Sequence, residues 1–181
     1  IGLQKDAIGI GAADTTLPVV PMFHANAWGL AFSGPATGSK LVLPGAKMDG
    51  ESIYELLENE KVTFTAAVPT VWLMLLQYLE STNKKLPHLN RVVIGGSAVP
   101  ERILRAFEEN YQVEVVHAWG MTEMSPLGSL GSMTAGVLEQ DHDTIIKYKL
   151  KQGRPPFGVE MKIVDDEGKE LPHDGKSAGR L

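Results

Sequence analysis

Residues 63–79, TFTAAVPTVWLMLLQYL, contain a β-rich segment followed directly by a helical one. Residues 63–68 include threonine, phenylalanine and valine, Pro69-Thr70 interrupts the run, and residues 71–79 are apolar on nearly every side. Proline suits the first turn of a helix, and a helix that is apolar all round is normally buried. This stretch therefore predicts a strand, a loop and a buried helix in immediate succession.

The same alternation recurs on both sides of this stretch. Other β-rich runs lie at residues 41–43, 91–94 and 113–117, separated by longer segments with a helical period. Asp49 or Ser52 can cap one helix, and Pro100-Glu101 can open another. Strands that alternate with helices are typical of parallel sheets with crossover helices. We predict an α/β fold, a mostly parallel sheet flanked by helices.

The last part of the chain has a different pattern. Residues 139–151 are rich in charge, which predicts a solvated helix or lid, or simply an exposed face. From Gly158 apolar residues alternate with polar ones, and residues 165–168, DDEG, predict a turn between antiparallel strands. We therefore predict a partial α/β subdomain at residues 1–152 and the start of a smaller β-rich subdomain at residues 153–181.

Composition excludes several classes of protein. Hydrophobic residues make up 43% and charged residues 22%, which is ordinary for a globular protein. A net charge of -5 without a basic cluster argues against nucleic-acid binding. The longest apolar run, residues 71–79, is less than half of the roughly 20 residues that cross a bilayer. The absence of cysteine suits a reducing compartment, so we expect a cytoplasmic location and no membrane span.

Two loops are expected to meet at one edge of the sheet. Ligands of open parallel sheets bind beyond the carboxyl ends of the strands. The strand at 91–94 is followed by GGSA, residues 95–98, where a flat ring can approach the backbone, or which is a plain turn. The strand at 113–117 is followed by AWGMTE, residues 118–123. Consecutive strands place these loops side by side, which favours a shared nucleotide site.

The second loop carries the most specific chemistry. Trp119 can stack on a base, and Gly120 can leave room for phosphate. Thr122 can donate to a phosphate oxygen, and Glu123 can hold Mg²⁺, which usually takes one or two carboxylates together with substrate phosphates. The alternative interpretation is structural, with Thr122 and Glu123 at the start of a helix and Trp119 in the core.

Two upstream segments can contribute to the same rim. His24 and Trp28 are four residues apart, and on a helix such residues share a face. Each can instead be an ordinary core residue. Val68-Pro69-Thr70 closes the strand at 63–68 and is either a further binding loop or only the start of a helix.

Five blocks occur in order: PMFHANAWG, AAVPTVW, VVIGGSAVP, HAWGMTEMSP and GRPPFGVEMKIVDDEG. Together they resemble the adenylate-forming superfamily of acyl-CoA synthetases, luciferases and nonribosomal peptide adenylation domains, and are most similar to bacterial medium- and long-chain fatty-acyl-CoA synthetases. The resemblance implies an AMP-forming ligase that uses ATP, Mg²⁺, a fatty acid and coenzyme A. It makes an acyl-adenylate and pyrophosphate, and the thiol of coenzyme A then displaces AMP.

The resemblance also implies roles for individual residues. Trp119 would pack on the adenine, Thr122 would bind the α-phosphate, and Glu123 would ligate Mg²⁺. His24 would lie near the reacting carboxylate, and Trp28 would gate a fatty-acid tunnel between the helix at 69–80 and the sheet. The remaining residues implied to contact nucleotide or acid are Val68, Thr70, Gly96, Ser97, Ala98, His117, Ala118, Gly120 and Met121.

This sequence departs from the family pattern at two positions. Trp119 stands where tyrosine is usual, which keeps stacking but loses a hydroxyl, and His117 stands where glutamine or asparagine is common. The ring nitrogens of His117 can meet the adenine edge instead.

Other parts that the family needs are not found among the 181 residues, namely the phosphate loop, the ribose-binding aspartate, the hinge and the C-terminal lysine domain. The start at Ile1-Gly2-Leu3 has neither a methionine nor the basic region of a signal peptide. We therefore expect the central piece of a longer enzyme, inactive by itself, with residues 139–151 as a candidate homodimer surface.

Two alternatives remain open: a non-catalytic module that binds acyl groups or nucleotides, and an enzyme that adenylates aryl or amino acids. Trp28 and the apolar helix favour a long aliphatic acid, because apolar burial scales with chain length.

Overall fold

A six-stranded sheet runs through residues 15–130 of the computed structural model, which describes residues 7–181; the start at Ile1-Gly2-Leu3 lies outside the described residues. In chain order the strands are β1 (Thr15–Pro18), β2 (Lys40–Leu41), β3 (Phe64–Ala67), β4 (Arg91–Ile94), β5 (Glu114–Gly120) and β6 (Leu127–Leu130). Their order in the sheet is β2-β1-β3-β4-β5-β6. All pairs are parallel except β5 with β6, which confirms the predicted, mostly parallel α/β fold.

Two of these strands are absent from the sequence-based prediction. β1 has four residues and ends in Pro18, and β6, with the sequence LGSL, contains no β-branched residue. Their pairing with neighbouring strands, rather than local propensity, makes them strands. The predicted loop 118–123 is also partly strand, because β5 continues to Gly120 in order to pair with β6.

The helices are α1 (Leu30–Thr37), α2 (Gly50–Asn59), α3 (Pro69–Thr82), α4 (Glu101–Arg105), α5 (Ala135–Leu138) and α6 (His142–Lys149). A π-helical turn, Ala106–Asn110, continues α4. Asp49, rather than Ser52, caps α2, since its carboxylate accepts from the Ser52 backbone N–H at 2.9 Å. Pro69 is the first residue of α3 and Pro100 immediately precedes α4, as the sequence predicts.

The sheet has a different cover on each face. The three predicted helices, α2, α3 and α4, pack on one face, with Trp72, Leu75 and Leu104 among strand residues such as Val92 and Val115. The other face has its own apolar cluster, in which Ile8, Leu30 and Leu127 pack around strand residues including Phe64, Val93 and Val116.

The predicted fatty-acid tunnel between α3 and the sheet is wrong. Trp72, Leu75 and Leu79 of α3 are completely buried in the core cluster that joins this helix to the sheet. Close packing of these side chains leaves no channel there. The cavity described below lies instead on the opposite face.

Residues 139–151 form α6 and its flanks. Asp141 caps this helix, since its carboxylate accepts from the Thr144 backbone N–H at 3.0 Å. Ile146 is completely buried, and Lys149 pairs with Glu108 in a partly buried ion pair. The segment is therefore a helix docked on its own chain, with one charged face exposed.

The final residues contain the predicted turn. Asp165 and Lys169 are joined by a backbone hydrogen bond of 2.9 Å, Gly168 has a φ of 83°, and Val164 forms antiparallel bridges with Glu170 and Arg180. The predicted division of the chain at residue 152 stays a prediction. Within residues 7–181, no helix is both long and apolar enough to cross a membrane.

Candidate active site

A cavity of about 280 Å³ opens at the carboxyl ends of β4 and β5, on the face opposite α3. It brings together both predicted loops and the upstream segment. Its lining residues are Ile8, His24, Ala25, Trp28, Val93, Gly95, Gly96, Ala118, Trp119, Gly120, Met121, Thr122, Glu123, Pro126 and Leu127.

Five residues predicted for the site do not line this cavity: Val68, Thr70, Ser97, Ala98 and His117. Val68 lies just outside it, since its Cγ1 is 3.0 Å from the position that a Cβ on Gly96 would take. Thr70 is exposed in the first turn of α3, so its alternative interpretation as part of a helix start fits the structure.

His24 and Trp28 belong to an unusual backbone segment. The helical turn Ala25–Trp28 has positive φ angles of 44°, 52°, 53° and 55°, so it is left-handed. The prediction that His24 and Trp28 share the face of an ordinary right-handed helix is therefore wrong, although both still line the cavity. Left-handed geometry costs non-glycine residues roughly 1–2 kcal/mol each, and such strain clusters at functional sites.

The glycine pair after β4 is predicted to let a flat ring approach the backbone. A ring does lie there, but it is the indole of Trp28. A Cβ on Gly95 would lie 3.4 Å from Cη2 of Trp28 and 2.9 Å from the Ala118 carbonyl oxygen. Gly96 has a φ of 79° and is 3.8 Å, measured from the same ideal Cβ position, from Cζ2 of Trp28. The indole of Trp28 thus rests against the pair and forms one wall of the cavity.

Trp119 forms another wall. It is half-buried near the end of β5, where the pairing with β6 contains a β-bulge. Thr122–Met124 then form a 3₁₀ turn with Met121 at the N-cap position, so Thr122 and Glu123 do stand at the start of a short helix, as the structural alternative has it, although Thr122 is not the cap. Thr122 and Glu123 are exposed at the cavity wall.

A close backbone contact, which the sequence does not show, explains why residue 120 is glycine. A Cβ at this position would lie 2.0 Å from the carbonyl oxygen of Pro126, which also accepts a 2.9 Å hydrogen bond from the Met121 N–H. The space beside Gly120 is therefore filled by the chain's own turn, and the predicted clearance for phosphate is not what requires glycine here.

His117 is placed differently from the prediction. Its side chain is buried, it does not line the cavity, and both ring nitrogens lack a hydrogen-bond partner. Burial lowers the pKa of His117 below 6.5, and nearby backbone groups of Leu150, Lys151, Ser97 and Lys149 offset this only partly. Burial thus favours the neutral form of this imidazole.

Four apolar residues of the cavity lining are not predicted, because nothing in the sequence distinguishes them from ordinary core residues. Ile8, Val93, Pro126 and Leu127 supply apolar wall, and the contributions of Pro126 and Leu127 depend on the unpredicted strand β6. Glu123 is the one acidic residue in the lining, and residues 7–181 contain no group of three or more metal-ligating side chains.

Comparison with known proteins gives one consistent result. A family model described as AMP-binding enzyme matches residues 2–181. The chain is 48% identical over 178 residues to a medium-chain-fatty-acid–CoA ligase of Ectopseudomonas oleovorans, covering 98% of this chain and 33% of that protein. It is 46% identical to a 3-methylmercaptopropionyl-CoA ligase of Ruegeria lacuscaerulensis, with 98% and 33% covered. It is 42% identical to a long-chain-fatty-acid–CoA ligase of Thermus thermophilus, with 97% and 32% covered.

Solved structures agree with these relatives. A long-chain-fatty-acid-CoA ligase, FadD1, from Archaeoglobus fulgidus superposes with a TM-score of 0.75 at 26% identity, over 91% of this chain and 33% of that one. The N-terminal domain of FACL13 from Mycobacterium tuberculosis shares the fold, with a TM-score of 0.74 at 21% identity over 90% and 38% of the two chains. The chain spans about a third of the length of the curated relatives it matches. On its sequence and on its fold, this chain belongs to the family of AMP-binding enzymes.

Proposed function

We propose that this chain is the adenine- and acyl-facing part of a longer ATP-dependent fatty-acid–CoA ligase, called the parent protein below. One observation carries the proposal: His24, Trp28, Trp119, Thr122 and Glu123 line a single cavity. Family membership supports it, as do relatives named medium-chain and long-chain fatty-acid–CoA ligases.

The proposed reaction has two steps. A carboxylate oxygen of the acid attacks the α-phosphorus of ATP, the bond to pyrophosphate breaks, and an acyl-adenylate forms. The thiol of coenzyme A, losing its proton, then attacks the acyl carbon and AMP leaves. Such steps depend mainly on positioning and on stabilisation of developing charge, so no covalent nucleophile from the protein is needed.

The nucleotide would lie on the Trp119 side of the cavity. An indole offers a wide aromatic face, which suits packing against adenine. Thr122 is exposed at the same wall, where its hydroxyl can donate to an α-phosphate oxygen. In the proposal, backbone near Gly96 and Ala118 completes the contacts to adenine, and His117 lies buried within β5, outside the cavity.

The acid would lie on the Trp28 side. His24, which precedes the left-handed turn, and Trp28, which ends it, both line this cavity. Ile8, Val93 and Leu127 add apolar surface. An aliphatic chain gains about 25 cal/mol for each Å² of apolar surface that it buries, which favours aliphatic over polar acids. We propose that His24 approaches the reacting carboxylate and that Trp28 controls access to the acyl path.

The residues present fit a magnesium ion that arrives with ATP. Mg²⁺ is commonly held by one or two carboxylates together with substrate phosphates, and Glu123 is a single exposed carboxylate beside Thr122. Glu123 would hold the ion, which when bound supplies positive charge to the phosphates.

The proposal extends to location and assembly. The lack of cysteine favours a reducing compartment, and we propose the cytoplasm. We also propose that the parent protein pairs as a homodimer through the exposed charged face of α6, which includes Lys147. Sedimentation of the parent protein, with and without a Lys147→Glu substitution, tests the dimer, and a monomeric wild-type protein contradicts it.

Pyrophosphate release by the parent protein tests the proposed reaction. ATP is supplied with C6, C12 or C16 fatty acids, with 3-methylmercaptopropionate, or with an aryl acid or an amino acid. We expect release with aliphatic acids and none from residues 1–181 alone. Release only with aryl or amino acids supports the other class of adenylating enzyme, and binding of AMP without any release supports a non-catalytic module.

A further inference from the structure

Gly128 lies in the β-bulge that interrupts the pairing of β5 with β6. In this irregular pairing Trp119 lies opposite Ser129 and Gly120 lies opposite Leu127, so Gly128 is the additional residue. Gly128 is buried, and it is not among the glycines with a positive φ. The backbone conformation therefore does not explain why glycine stands at this position.

The indole of Trp119 does explain it. A Cβ built on Gly128 would lie 2.3 Å from Cζ3 and 2.6 Å from Cε3 of Trp119. Carbon atoms in contact prefer separations of about 3.5–4.0 Å, so any side chain at position 128 would displace the ring. The six-membered ring of the indole thus lies directly on the strand backbone at Gly128.

We propose that Gly128 is a positioning residue for the nucleotide site: the space left by its missing side chain seats Trp119 and sets the plane of the indole at the cavity wall. The ligand half of this proposal, a purine packed on Trp119, rests on the proposed function. The seat itself rests on geometry alone, and Gly128 would act only through Trp119.

The two positions should therefore be coupled. Cε3 and Cζ3 belong to the second ring of the indole, and tyrosine has a single ring without atoms at those places. Tryptophan at 119 requires glycine at 128, whereas tyrosine at 119 should tolerate a methyl group there. The coupling explains how this chain holds the larger aromatic residue without losing the shape of the cavity.

The experiment measures AMP binding by calorimetry in the parent protein. Gly128→Ala should weaken AMP binding about tenfold or more, because overpacking pushes the indole out of its seat toward the ligand. Gly136→Ala is the matched control, since a Cβ there meets nothing within 4 Å. Trp119→Tyr combined with Gly128→Ala should bind AMP as Trp119→Tyr alone does.

A second measurement follows the indole N–H resonance of Trp119 without nucleotide. It should shift in Gly128→Ala and stay in place in Gly136→Ala. An unshifted resonance in Gly128→Ala would overturn the claim that Gly128 positions Trp119. If Gly128→Ala weakens AMP binding equally with tryptophan and with tyrosine at position 119, the residues at 119 and 128 are not coupled. If the wild-type protein binds no AMP, the proposed function fails, while the resonance still decides whether Gly128 seats Trp119.

Discussion

The indole of Trp28 rests on the backbone of Gly95, with its Cη2 3.4 Å from the position that a Cβ on Gly95 would take. The contact joins the left-handed turn Ala25–Trp28 to the end of β4, two segments that are more than sixty residues apart. Both line the cavity at the edge of the sheet. The two aromatic walls of the cavity are built in the same way: the indole of Trp28 packs on Gly95, and the indole of Trp119 packs on Gly128.

Gly95→Ala should destabilise the protein. Its Cβ would lie 2.9 Å from the Ala118 carbonyl oxygen, and a strand backbone cannot easily yield. We expect the free energy of unfolding to fall by about 1–3 kcal/mol in urea denaturation, with a change in Trp28 fluorescence. Gly11→Ala is the control, because its nearest neighbour would be at 3.9 Å. Equal stability of the two variants would refute the close contact.

Glu123→Gln should sharply reduce formation of the acyl-adenylate in the parent protein. The substitution keeps the size of the side chain and removes the one carboxylate in the cavity lining. Loss of a group that stabilises charge in the transition state costs about 10²–10³ in rate, which is measured here as pyrophosphate release. Glu139→Gln, at an exposed position outside the cavity, should have no effect. Near-normal release by Glu123→Gln would remove this residue from the proposed metal role.

His117 should make stability depend on pH. Burial holds its folded-state pKa below the value of 6.5 expected for the unfolded chain. The unfolded state therefore takes up a proton first, so this contribution is fully present above pH 6.5 and is lost as the pH falls through the folded-state pKa. Urea denaturation between pH 5 and pH 7.5 measures the slope, which His117→Gln should reduce. His173→Gln, at an exposed position, should keep it; an unchanged slope in His117→Gln would refute the assignment.

Lys149→Met should cost much more stability than Lys162→Met, at an exposed position outside α6. Lys149 and its partner Glu108 have side-chain exposures of 11% and 15%, and Glu108 also accepts from the Val115 backbone N–H at 3.1 Å. Removing the lysine leaves a mostly buried carboxylate without its cation, a loss of about 3 kcal/mol in the free energy of unfolding. Lys162 is exposed, so its replacement should be nearly neutral. Thermal unfolding of both variants decides the point.

Much of the fold follows from local patterns. The apolar helix at 69–82, the Asp49 cap and the strands at 64–67 and 91–94 each have a signal within a few residues. β1 and β6 are not predicted, because β1 ends in Pro18 and β6, with the sequence LGSL, contains no β-branched residue; pairing with β3 and β5 makes them strands. The predicted acyl tunnel fails for a related reason: an apolar helix pattern shows that α3 is buried but not whether space remains beside it.

The candidate site divides in the same way. The sequence by itself determined that Trp119, Thr122 and Glu123 follow one strand and that a glycine pair follows its neighbour, since parallel strands end at one edge of a sheet. Only the tertiary structure decided that Trp28 covers Gly95, that Gly128 seats Trp119, and that His117 is buried beneath the cavity. These relationships depend on left-handed backbone, on a bulge and on packing between distant segments, and none of the three leaves a periodic trace in the sequence.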